Sequence, residues 1–156
     1  MSINLDNFDL IKAKGEELYK SFGPIKCPYF NDFVHFNAEG LEHLRYKFRN
    51  RDRLAQDQYM RFKLLHLAPQ VLKLSRTLQG LSSRQGFERI RRNSTTKLEF
   101  VTKVYYEFVA IIDGIRVRII VRQIKDCELH FWSIIPFWTE LTDHSRVFGF
   151  GNPEED

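Results

Sequence analysis

A chain of 156 residues, 43% apolar and 14% aromatic, has the size of one ordinary domain and enough apolar surface for a core. No basic start leads into an apolar run and a small-residue cleavage site, and no apolar stretch approaches the roughly 20 residues that span a bilayer. These features argue against secretion and membrane insertion and for a cytoplasmic location; the net charge of +4 is uneven, with fourteen Lys/Arg against three acids in residues 43–97 and ten against seventeen elsewhere.

Phe8, Ile11, Leu18 and Phe22 fall on one helical stripe, which predicts a first helix over residues 6–22 stopped by Gly23-Pro24. Residues 27–36 are aromatic but broken by Pro28, giving a loop or short strand that ends at Val34-His35-Phe36. Asn37 can cap a second helix with Leu41, Leu44 and Phe48 facing the core and His43 and Lys47 four apart on a neighbouring face. A third helix from about Asp52 would carry Met60, Leu64 and Leu67, with His66 among its leucines as a core or boundary histidine. Pro69 fits the first turn of a fourth helical segment ending at Gly80.

Residues 81–97, with Gly86, three serines and several arginines, read as a long basic loop. The period then switches to two, predicting strands over 98–112 and 115–121 joined by an Asp113-Gly114 turn, and a third over 128–135 closed by Pro136. The result is one α+β domain, 1–156: N-terminal helices over about 5–80, the basic loop, a C-terminal antiparallel β-meander over 98–136, and a tail, 137–156. Cys27 and Cys127 lie a hundred residues apart with no further Cys, so two buried, reduced thiols are expected rather than a disulfide framework. Phe137, Trp138, Phe148 and Phe150 add aromatic surface that either completes the core or forms an interface.

Two basic groups suit a nucleic-acid backbone: the alternating run Arg45, Lys47, Arg49, Arg51 and Arg53, and the group Arg84, Arg89, Arg91, Arg92 and Lys97. Ten of the fourteen cations in residues 43–97 are arginine, whose planar fork matches phosphate oxygens. On the second strand Arg116, Arg118 and Arg122 alternate away from Ile115, Val117, Ile119 and Val121. His130 and Trp132 on the third strand would join them on one open face, where a cation, an imidazole and a ring could hold a phosphate, exchange a proton and stack a base. An ordinary solvated sheet face is the competing reading. No metal-ligand cluster, nucleophile elbow or glycine-rich phosphate loop occurs, so no metal or cofactor is expected.

The order of features resembles the barnase, EndoU, colicin and RelE-like nuclease group, especially its phage and mobile-element branches. The resemblance runs over about residues 34–136 and rests on Val34-His35-Phe36-Asn37, Glu42-His43-Leu44, the Leu-Ala-Pro within residues 61–72, Tyr105-Tyr106-Glu107-Phe108, residues 112–121 and His130 to Pro136. It implies a metal-independent endoribonuclease, toxin- or effector-like, with helices on a curved antiparallel sheet and tRNA or mRNA as its target. By position it makes His43 the helix-borne acid or base, Arg118 or Arg122 the phosphate clamp, and Ser133 a polar contact. His130 joins this set from strand alternation. Simple alternation sends Ser133 to the apolar face, so it reaches the site only where a bulge re-aims the strand.

Two further readings stand beside this one. In a non-catalytic nucleic-acid- or partner-binding module the arginines grip phosphate without turnover. Alternatively the basic middle engages an acidic protein such as a cognate inhibitor, and the acidic Glu154-Glu155-Asp156 can shield the basic surface in cis. The ribonuclease reading requires that at least one histidine and one sheet arginine converge.

Overall fold

The computed structural model describes residues 7–48, 51–136 and 153–156. Helix α1 spans Phe8–Ser21 and buries Gly15 and Tyr19, with Ile11 and Phe22 packed beside them. A Cβ at Gly15 would lie 2.5 Å from the Phe62 ring, so only glycine lets α1 cross the third helix this closely. Strands β1 (Ile25–Cys27) and β2 (Asp32–Val34) form a short hairpin. Helix α2 spans Ala38–Arg45, and the Asn37 side chain accepts from the Gly40 amide at 3.1 Å, as its cap position predicts.

The second helix does not continue to Phe48. Tyr46–Phe48 (β3) pairs with Arg51–Asp52 (β4), because the alternation of cation and aromatic from Arg45 onward has the strand period of two. Helix α3 (Ala55–Leu64) is followed at once by α4 (Leu67–Leu74), so Leu67 begins a new helix. Pro69 explains the break: it has no N–H to give to Leu65, and its ring would clash with that carbonyl in a continuous helix. His66 sits at this break and is exposed, not among core leucines. The Phe48 side chain and the aromatics Phe137, Trp138, Phe148 and Phe150 lie outside the described residues.

The architecture is α+β, with the helices preceding a four-stranded antiparallel sheet in the order β5-β6-β7-β8. Its strands are β5 (Gly80–Arg92), β6 (Thr95–Ile112), β7 (Ile115–Ile124) and β8 (His130–Pro136). The expected basic loop over 81–97 is instead β5 and the start of β6, paired from Gly80↔Glu107 to Arg92↔Thr95. Serine, glycine and arginine hide this strand from a propensity reading, since a cross-strand partner, not intrinsic preference, holds it extended. Asn93 and Ser94 both take positive φ, as do Asp113 and Gly114, so both hairpins close through two left-handed residues.

Val117, Ile119, Val121, Phe131 and Ile134 project from one sheet face into a core completed by Leu44, Phe62, Leu65, Val71 and Leu72 of the helices. Cys27 is buried, which pushes its thiol pKa up; Cys127 is only half-buried, contrary to expectation, and both are free. Among the described residues no helix is long and apolar enough to cross a membrane. A Cβ at Gly40 would meet the Phe131 carbonyl oxygen at 2.3 Å and the Tyr19 hydroxyl at 2.5 Å, so α2 lies directly on the β8 backbone. Overpacking of this kind costs about 1–3 kcal/mol, and Gly40→Ala is expected to lower the urea midpoint correspondingly. An unchanged midpoint would mean that α2 does not rest on β8.

Candidate functional site

One extra residue in β8 builds the site. Ile120 pairs with Ser133 and Val121 with Phe131, which leaves Trp132 unpaired as a bulge. The bulge returns Ser133 to the face carrying Arg118 and Arg122, and sends Ile134 into the core. His130 stands opposite Arg122 on that face, with Tyr105 and Glu107 beside it from β6. Helices α2 and α3 reach it from the β8 edge, bringing His43 and Arg61, while Arg53 arrives from the turn after β4.

Arg53, Arg61 and Arg118 converge with the Ser133 hydroxyl on a single anionic group, Asp156. Ser133 Oγ donates to the Asp156 main-chain oxygen at 2.8 Å, Arg53 Nη2 donates to it at 3.1 Å, and Arg61 Nη1 donates to it as well. The Asp156 carboxylate pairs with Arg118. Arg61 also donates to Ser133 at 2.5 Å and is held from behind by Asp57 at 2.6 Å. The rest of the segment 153–156 is similarly tied, with Trp132 Nε1 donating to the Pro153 carbonyl at 3.1 Å and Lys103 pairing with Glu154 at 2.9 Å. From the folded frame Asp57 pairs with Arg53 and Arg61, and Glu107 with Arg118.

The aromatic and imidazole groups form a second layer. His43 stacks on Trp132 with ring centroids 4.0 Å apart, and the Arg122 guanidinium lies over the same indole at 3.8 Å. Arg53 Nη2 is 2.9 Å from His43 Nε2, and Arg122 Nε donates to His130 Nε2 at 2.9 Å. A guanidinium only donates, so each Nε2 is the acceptor of a neutral ring. Burial and then the charges of Arg53, Arg61 and Arg122 hold His43 well below the usual histidine range. Burial and then Arg122 lower His130 to about 3. Burial likewise brings Arg53 down to about 10, so it stays charged at neutral pH. Glu107 moves the other way: burial raises its carboxyl against the pull of Arg118. Lys103 is buried at a cost to its charge, but the carboxylates of Glu154 and Glu88 outweigh that and raise its pKa.

His43, Arg118, Arg122, His130 and Ser133 therefore lie in one constellation, yet on a closed surface. Arg118 and Arg122 are 8% and 3% exposed, so the open sheet face expected for them, His130 and Trp132 is replaced by a site covered by helices and by residues 153–156. Arg116 is at the exposed end of β7. The run from Arg45 to Arg53 is not one phosphate-gripping row: Arg45 faces Glu16 at 3.6 Å, Lys47 borders a cleft, and Arg53 is buried in the seat. Arg49 and the Arg51 side chain lie outside the described residues. Arg84, Arg89, Arg91 and Arg92 are exposed on β5.

Sequence reasoning missed Arg61, Glu107, the Glu39 carboxylate that pairs with Arg122, and the seat-forming part of Arg53. Arg61 and Asp57 at helical spacing carried the only signal, and that spacing is equally the mark of a surface pair. Beside the seat a cleft of about 790 Å³ opens between α2, β3 and the β5–β6 hairpin, bordered by Glu39, His43, Lys47, Phe87, Arg122 and Trp132. No group of His, Cys, Asp and Glu suited to a metal ion occurs among the described residues. Comparison with protein-family models, curated proteins and solved structures finds no match to the chain.

The neutral histidines make stability depend on pH. Between the ordinary value of 6.5 and about 3 the unfolded chain binds a proton at residue 130 that the folded chain does not. Stability is therefore complete above pH 6.5 and falls as pH drops through that window, by at most about 1.4 kcal/mol per pH unit for one histidine. Urea denaturation at pH 7.5, 6 and 5 is expected to show this slope, reduced in His130→Gln. A slope identical in the two proteins would place the coupled group elsewhere.

Proposed function

We propose that the chain is a metal-independent endoribonuclease of the barnase, EndoU, colicin and RelE type. The observation that carries this reading is the convergence of Arg53, Arg61, Arg118 and Ser133 on one anionic group, with a neutral histidine against it. An RNA phosphodiester presents the same demand as the Asp156 carboxylate and its main-chain oxygen: several acceptor oxygens and a delocalised negative charge. Guanidiniums fixed by Asp57 and Glu107 meet it without rearranging, which is how charge developing on a phosphorane is best stabilised.

RNA supplies its own nucleophile, so the protein needs only a base, an acid and cations. In the proposed step neutral His43 exchanges its hydrogen bond from Arg53 for the substrate and takes the 2′-hydroxyl proton at Nε2, the 2′-oxygen bonds to phosphorus, and the P–O5′ bond breaks with a proton delivered by a water molecule. Products are a 2′,3′-cyclic phosphate and a 5′-hydroxyl; His43 ends protonated and the water as hydroxide, and proton transfer between them restores both. Burial favours the starting form of the base, the unprotonated His43, while Glu107 stays behind Arg118 as its counter-charge. His130 accepts from Arg122 and, unlike His43, does not border the cleft, so it acts as a positioning residue that aims the guanidinium over Trp132.

In EDTA the protein is expected to cut tRNA or an mRNA transcript at discrete sites, leaving cyclic-phosphate ends. His43→Gln keeps an acceptor for Arg53 and cannot serve as base, so cleavage should drop by about 10²–10⁴ while circular dichroism is unchanged. Arg118→Ala should lose about 10²–10³. The acid limb of kcat/KM should be displaced to lower pH: activity persists below the usual histidine range and fails as pH falls through the lowered value of His43. No cleavage by a folded protein would reject the reading.

Residues 153–156 compete with any substrate for this seat. Glu154→Ala/Asp156→Ala removes both carboxylates and is expected to lower KM for RNA by about tenfold, or ~1.4 kcal/mol. A rise in KM would mean that Asp156 is part of the working site. The same contacts favour a second reading: a site that holds an acidic segment in cis is suited to an acidic partner protein in trans. That reading calls for salt-sensitive binding with no RNA turnover.

A further inference from the structure

The sheet is longer than its helical cover. β6 pairs with β7 only from Lys103 to Ile112, so beyond Lys103 the β5–β6 hairpin continues as a two-stranded ribbon. Phe87 and Phe100 stand opposite each other there, 62% and 61% exposed, with ring centroids 5.1 Å apart. Leu98, 60% exposed, stands opposite Arg89. The alternation of the two strands puts Gln85, Phe87, Arg89 and Arg91 with Thr96, Leu98, Phe100 and Thr102 on one face. That face carries two arginines, two phenyl rings and no acid, while the opposite face mixes Arg92 with Glu99 and Lys103 with Glu88.

Exposed apolar side chains along a sheet-edge strand invite aggregation unless something covers them. The occupant has to offer flat apolar faces to the rings and negative charge to Arg89 and Arg91. A single RNA strand does both, since every base has a face that stacks and every linkage carries a charge. The ribbon is also continuous with the cleft, whose border includes Phe87, Arg89 and Leu98 as well as His43, Arg122 and Trp132. We infer that this face of the hairpin is the track for single-stranded RNA on one side of the scissile linkage, with Phe87 and Phe100 stacking bases and Arg89 and Arg91 pairing with phosphates. The inference rests on the ribonuclease reading for its direction, but not for the binding itself.

The test uses full-length protein, a fluorescent twelve-nucleotide single strand blocked at every 2′-oxygen, and a cleavable dinucleotide. Phe87→Ala/Phe100→Ala and Arg89→Ala/Arg91→Ala change exposed side chains only, and circular dichroism checks their fold. Each pair is expected to weaken binding of the twelve-mer by about tenfold or more. Each should also raise KM for long RNA and leave dinucleotide kcat/KM unchanged; only the arginine pair should flatten the salt dependence. Unchanged twelve-mer binding in both variants would overturn the track even where cleavage is intact. Lost binding with no cleavage by the parent protein would sink the ribonuclease reading and leave the track standing. A parent protein that ignores the twelve-mer but self-associates through this face, seen as a dimer by sedimentation that Phe87→Ala/Phe100→Ala dissolves, would also overturn it.

Discussion

Guanidinium groups cannot be gathered under cover unless an anion sits among them. Two unit charges 4 Å apart interact by about 4 kcal/mol near a protein surface, and burial adds a desolvation cost for each. Arg53, Arg61 and Arg118 meet that constraint in two ways: Asp57 and Glu107 hold them from behind, and Asp156 fills the space in front. The frame fixes where the cations point, with Asp156 held in front of them. Under the proposed function, such fixed cations are the condition for electrostatic catalysis without reorganisation.

Two backbone details deliver the groups to that seat. The Trp132 bulge shifts the remaining residues of β8 by one, so Ser133 joins the arginine face while Ile134 enters the core. Gly40 lets α2 lie against the β8 carbonyls, which brings His43 to stacking distance of Trp132. Both also serve the core, the bulge by turning Ile134 inward and Gly40 by letting α2 rest on β8. Together they convert a helix face and a strand end into one cluster in which imidazole, indole and guanidinium are layered.

The same economy explains the two histidines. Each gives its Nε2 to an arginine and is held neutral by burial and positive neighbours. For His130, opposite Arg122 and 3% exposed, this is orientation of the cation. For His43, beside both the seat and the cleft, it leaves an unprotonated ring at the cleft border. The hairpin then runs outward from the cleft, whose border mixes Glu39, Glu42, Glu88 and Glu154 with Lys47, Arg89, Lys103 and Arg122, to exposed arginines and phenyl rings.

Periodicity and turn chemistry were readable in the sequence because they are local: the Asn37 cap, the Asp113-Gly114 turn, the alternation of Ile115 to Val121 and the order of helices before strands all follow from a few neighbouring residues. The candidate residues His43, Arg118, Arg122, His130 and Ser133 were legible by type and by the face expected of them, with Ser133 contingent on a bulge. Tertiary structure decided the rest. Only pairing with β6 could make a strand of Gly80–Arg92, whose own residues favour a loop. Only the packing of α3 on β8 could turn Arg61 and Asp57 from an ordinary helical ion pair into part of an anion seat. And only the return of residues 153–156 could close a face that alternation alone leaves open, since burial is set by which distant segments meet, and no short stretch of sequence encodes that.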